Sequence, residues 1–154
     1  MTFRATPGGS KKKRMLTTGL GAASPPVVGP ELLVNGDFNA GQPPWAVSGS
    51  DGTHIATFDG ATLRYQSDTT TPVLTVSQPN IHIVGKAYQV TVVVSAGVSG
   101  SIKSDNLGGI VLCSFTPGTY VSQGVCTAST AFSLLRNSAN VDITIDSISV
   151  KQLF

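Results

Sequence analysis

Glutamate occurs once in this 154-residue chain, at Glu31, and charged side chains make up only 12% of it. A surface this short of Glu and Lys does not supply long solvent-facing helices, which draw on those residues. Tryptophan also occurs once, at Trp45, and aromatics amount to 6%. That is too few for the stacking platforms that hold single-stranded nucleic acid. No uninterrupted apolar run approaches the roughly 18 residues of a membrane-spanning helix. The two histidines, His54 and His82, stand beside no recognisable nucleophile motif, so no catalytic residue is assigned and the chain is expected not to be an enzyme.

What charge there is falls unevenly. Residues 1–30 carry Arg4, Lys11, Lys12, Lys13 and Arg14 with no acid, while residues 31–154 carry five bases against eight acids. The net of +2 therefore joins a basic segment at +5 to an acidic body at −3. Lys11 to Arg14 followed by Met15-Leu16 imitates the start of a secretion signal. Thr17-Thr18-Gly19-Leu20-Gly21 is too polar and glycine-rich to continue one. Pro25-Pro26 and Pro30 stiffen the stretch before the body, giving an extended connector. We read residues 1–30 as a basic Gly/Pro-rich anchoring arm and residues 31–154 as one compact domain. Four adjacent cations can neutralise phosphate without reading bases. The acidic body adds no second basic run, which argues against nucleic acid as the partner.

The body reads as β-structure. Tyr88, Val90, Val92 and Val94 alternate with Gln89, Thr91 and Val93, the pattern of a strand covered on both faces. Short strands are predicted at 31–34, 53–58, 61–66, 72–77, 110–113 and 120–125. Phe132 and Leu134 alternate with Ser133 and Leu135, and Val141, Ile143 and Ile145 alternate with Asp142, Thr144 and Asp146. The phase slips at Ser147-Ile148, which predicts a bulge in the last strand. About nine strands with short turns and no helix predict an all-β, antiparallel sandwich.

Cys113 and Cys126 flank the turn-like Thr116-Pro117-Gly118-Thr119. Either they face one another across adjacent strands and form a disulfide, or they are two small buried hydrophobes. Two cysteines without neighbouring histidines do not make a zinc site.

Leu32-Leu33-Val34-Asn35-Gly36-Asp37-Phe38, followed by Trp45, resembles the opening of galactose-binding-like jelly-roll domains, a class that includes bacterial carbohydrate-binding modules. Gly85-Lys86-Ala87-Tyr88-Gln89-Val90 resembles the middle strand of that family, and Val141 to Val150 its last. Asn39 departs from the commonest form, which has Glu there. The resemblance implies a jelly roll of eight or nine strands over residues 31–152. It also implies glycan contact through exposed aromatics, with Trp45 the first candidate and Tyr65 and Tyr120 as helpers, although a lone tryptophan after a first strand also serves as a core plug. Some relatives hold a structural calcium. The matching positions are Glu31, Asp37 and Asp146, whose oxygens suit a hard cation, while turn hydrogen bonding accounts equally for Asp37. No other cofactor is implied.

Small jelly rolls behind long arms also resemble bacteriophage virion proteins of the head, neck or tail. A basic arm poor in apolar side chains cannot offset its own ordering entropy, so it is expected to be held by a neighbouring subunit. The leading expectation is thus a structural, decoration or adaptor protein of a virion, a homo-oligomer with other virion proteins as partners and no membrane. The alternative is a carbohydrate-binding module that recognises cell-surface or polymeric glycans.

Overall fold

The computed structural model describes Met1 and residues 24–154. Arg4, Lys11, Lys12, Lys13 and Arg14 of the anchoring arm lie outside the described residues. Eleven strands follow in order: β1 (Val28–Glu31), β2 (Ala46–Ser48), β3 (Ile55–Phe58), β4 (Leu63–Ser67), β5 (Thr75–Gln78), β6 (Ala87–Ser99), β7 (Ser101–Ser104), β8 (Ile110–Ser114), β9 (Gly118–Val125), β10 (Phe132–Arg136) and β11 (Val141–Leu153). The one helical element among the described residues is a 3-10 turn at Asp105–Leu107, and no helix among them is long and apolar enough to cross a membrane.

The strands form two antiparallel sheets. One runs β3-β4-β11-β6-β9, and the other runs β2-β5-β10-β7-β8. Strand β11 organises the first sheet. β6 lies along one side of it, while β4 pairs its first half, Val141 to Ile145, and β1 pairs its end through Glu31 to Lys151 and Val28 to Leu153. Alternation decides which side chains enter the sandwich. Tyr88, Val90, Val92 and Val94 of β6 and Ile143, Ile145, Ile148 and Val150 of β11 are buried against Val76, Ile102, Leu112, Phe132 and Leu134 of the second sheet. The predicted slip in the last strand is present, as a register shift between Ile145 and Ser147.

One sequence expectation is displaced, and two strands stand where none was expected. The first strand ends at Glu31 instead of beginning there, because the Glu31 carboxylate turns the chain. Its Oε1 accepts the N–H groups of Leu32 at 3.1 Å, Leu33 at 3.0 Å and Val150 at 2.9 Å, and Oε2 accepts the Ser149 hydroxyl. Strands β2 and β7 were not predicted, being three and four residues long, too short to show a period.

The segment 35–45 folds around Asn35. Its backbone carbonyl accepts the indole N–H of Trp45 at 2.9 Å, and its side chain bonds the backbone of Ala40, Gly41 and Pro43. Gly36 rests directly on the carbonyl of Ile148, an approach that any Cβ would block, and its own carbonyl accepts the Ile148 N–H at 2.7 Å.

Candidate functional site

The aromatics expected at a sugar platform are not assembled into one. Trp45 is 2% exposed and stacks on Phe38 and Phe132 at centroid distances of 5.6 and 6.3 Å, so it is the core plug of the two roles open to it. Tyr65 is fully buried, with its hydroxyl donating to the Leu74 carbonyl at 2.8 Å, and burial pushes its phenol up to about 12. Both lie on the inward phase of the sandwich and present no ring to solvent. Tyr120 is half-buried and remote from them, and its hydroxyl is tied to Ser114 and to the Thr116 carbonyl at the β8–β9 turn.

The proposed disulfide is absent. Cys113 and Cys126 are buried free thiols, and burial pushes the Cys113 thiol up to about 12. They lie in different parts of the fold, Cys113 on β8 of the second sheet and Cys126 just past β9 of the first. Ser114 bonds Tyr120 and Ser122 bonds Val111, so Cys113 lies beside the start of β9, whereas Thr127 bonds Asn106 and leaves Cys126 beside the 3-10 turn.

The calcium candidates do not converge either. No three His, Cys, Asp or Glu among the described residues meet as a cation site. Glu31 is committed to four backbone and hydroxyl donors, and Asp37 to the side chain of Asn39 at 2.7 Å.

The cavity lies elsewhere, on the outer face of the five-stranded sheet. Because Phe132 and Leu134 point inward, Leu135 faces out, directly opposite Lys103 on β7, which in turn lies opposite Val111 on β8. On the other side, Ser48 of β2 pairs with Thr75 of β5. Over this row opens a groove of about 470 Å³ lined by Val73, Lys103, Asp105, Leu135, Arg136 and the loop 137–139, within the size range of small-ligand sites. Its lining joins aliphatic Leu135 and Val73 with polar and charged side chains. Lys103 Nζ meets Asp105 Oδ1 at 2.7 Å, with both side chains partly exposed.

Both walls are held in place. On one, the Ser138 hydroxyl accepts the Ser101 N–H at 2.9 Å, and Asn137 donates to the Ser101 carbonyl at 2.9 Å and hydroxyl at 3.1 Å. On the other, Gly49, at φ +73°, lies against the Val73 carbonyl where a Cβ would collide. Next to it the β2–β3 and β4–β5 loops are clasped by buried His54, whose Nδ1 is 2.8 Å from Asp51 Oδ1 and whose Nε2 is 3.4 Å from Asp68 Oδ1. The Thr53 N–H and then the His54 ring hold the Asp51 carboxyl down at about 2. The Thr70 hydroxyl and N–H lower Asp68 likewise. The neighbouring Thr69 carbonyl accepts Arg136 Nη2 at 3.2 Å, which connects the clasp to the groove.

No protein-family model matches the chain, and no curated protein matches it in sequence. Solved structures do. The second N-terminal cellulose-binding domain of Cellulomonas fimi β-1,4-glucanase C superposes with a TM-score of 0.52 at 13% identity, covering 79% of this chain and 94% of that one. The fold is the jelly roll of carbohydrate-binding modules. A second jelly roll of this kind, BiXyn10A CBM1 in its apo form, gives a TM-score of 0.54 at 14% identity over 80% of this chain and 97% of its own. The expected jelly-roll sandwich is thus present, while nothing among these neighbours is a virion protein.

Sequence reasoning did not find Val73, Lys103, Asp105, Leu135 and Arg136 as a group. A signal existed for one of them: Leu135 is a large apolar side chain on the outward phase of β10, where Ser133 precedes it.

Proposed function

We propose that residues 28–154 form a non-catalytic glycan-binding module, with the groove over β10 and β7 as its binding site. The observation that carries this reading is a groove lined jointly by the aliphatic Leu135 and Val73 and by the polar Lys103, Asp105, Asn137 and Ser138. A sugar ring presents C–H faces and a circumference of hydroxyls, and this mixture of apolar and polar lining suits both. The jelly-roll fold, shared with a cellulose-binding domain, supports the same reading. Lys103 and Asp105 set a donor and an acceptor side by side, suited to two adjacent hydroxyls, one accepting and one donating.

Affinity electrophoresis of the full chain through gels loaded with soluble glycans tests this. Retardation by at least one glycan is expected, and Leu135→Asp should abolish it with the fold intact by circular dichroism. Free migration through every glycan would overturn the reading.

The uneven charge favours a second, independent role for residues 1–30 as a basic attachment segment for an acidic protein surface. The virion reading, with its homo-oligomer, rests on that charge division. Deleting residues 2–23, which keeps β1 in place, should leave glycan retardation unchanged and abolish incorporation into any particle that carries the protein. Unchanged incorporation would sink the anchoring role.

A further inference from the structure

The groove is cationic in an acidic body. Of the five bases in residues 31–154, Lys103 and Arg136 both line it, whereas of the eight acids only Asp105 does. The other described arginine, Arg64, is committed elsewhere to a two-pronged pair with Asp142, at 2.9 and 2.8 Å. Among the described residues Arg136 has no carboxylate partner. Its one hydrogen bond among the described residues goes to the Thr69 carbonyl, and its buried Nε has no acceptor. A guanidinium left to a single carbonyl is under-used, since it offers five donors in a planar fork that matches a carboxylate. The Lys103–Asp105 pair is a partly exposed ion pair, of the kind that contributes little and exchanges partners readily.

We infer that the groove selects glycans carrying carboxylate groups, that is, polymers containing uronic acid. This rests on the glycan-binding reading and names its ligand class. A sugar carboxylate beside Leu135 would take the free edge of Arg136 and share Lys103 with Asp105, while the ring lies against the aliphatic lining. The walls fixed by Ser138 on one side and by the His54 clasp on the other hold these cations in position before binding.

The test uses the full chain and matched polymers: polygalacturonate and glucuronan, each beside its carboxyl-reduced neutral form, with dextran sulfate as a generic polyanion. At least one uronate polymer should bind about tenfold more tightly than its reduced form, the size expected for one charge-assisted contact. Raising salt from low to high should erase most of that ratio, and Arg136→Gln should bring it near one while leaving weak binding to the neutral polymer. Because Arg136 also braces Thr69, Lys103→Gln serves as the second variant, with a smaller loss of the same ratio expected. Equal affinity for acidic and reduced polymers would overturn the uronate inference and leave glycan binding standing. Dextran sulfate binding as tightly as any uronate would also overturn it, as simple ion exchange. Binding to no polymer would overturn both readings.

Discussion

His54 Nδ1 lies 2.8 Å from Asp51 Oδ1, while the opposite ring nitrogen stands 3.4 Å from Asp68 Oδ1 without a hydrogen bond, so one buried imidazole is bonded to its own loop and packed against the next. The same Asp51 oxygen accepts the N–H groups of Thr53 and His54, both at 2.8 Å. Thr53 and Thr70 hydroxyls meet across the same junction at 3.5 Å.

Asp51→Asn keeps the shape of this junction and removes its charge. The folded carboxyl sits at about 2 against an ordinary value of 3.8. Its stabilisation is therefore complete above about pH 4 and lost as pH falls through 2. Wild type should be the more stable protein at neutral pH, and the gap should close across that acid window in urea melts. Parallel profiles for the two proteins down to pH 2 would show that the carboxylate does not stabilise the clasp.

His82 behaves differently. Its ring is 3% exposed and stands 4.6 Å from Tyr88 and 5.9 Å from Phe132, centroid to centroid. Burial lowers its pKa from 6.5 to about 4, the Ala131 backbone acting the other way, and neither ring nitrogen makes a hydrogen bond of good geometry. The unfolded chain thus takes up a proton first as pH drops below 6.5, and stability falls until about pH 4. His82→Leu should remove that loss, so that its stability changes less than wild type between pH 7 and 4.5. A wild-type chain equally stable at both pH values would contradict the buried neutral ring.

Trp45→Ala should cost about 3–5 kcal/mol in denaturant unfolding, the range for deleting a large buried aromatic. The change also leaves the Asn35 carbonyl without its indole donor. Measured by calorimetry well below the melting point, glycan affinity should change less than about twofold, because the ring does not reach the groove. Loss of affinity with little loss of stability would restore Trp45 as a ligand contact.

The two cysteines give a simple count. Thiol titration of the native chain should be slow and become rapid on unfolding, with two thiols released, and thermal unfolding should be the same with and without reductant. A reductant-dependent melting point would reinstate the disulfide.

Much of the sandwich was legible in the order of residues. Strand β6 announces itself because every second side chain from Tyr88 to Val94 is large and apolar, and the slip near Ser147 is visible because it breaks that period. Other features depend on partners distant in sequence. Gln78 accepts the Val34 N–H at 3.1 Å and donates to the Val34 carbonyl at 2.6 Å across 44 residues, and no local pattern foretells that pair. The cysteines stayed open between a bridge and two buried hydrophobes because a turn between two strands does not say which residues lie opposite one another.

The groove shows the same division. The sequence by itself determined a chain of short alternating strands with an acidic body and a basic arm, since those properties follow from side-chain identity and a period of two. It also placed Leu135 on the outer phase of its strand. Only the tertiary structure decided that Val73, Lys103 and Arg136, drawn from segments some thirty residues apart, meet over one sheet. Strand order and register are fixed by non-local backbone hydrogen bonds and by the fit of side chains across the core, and neither is written in any single segment.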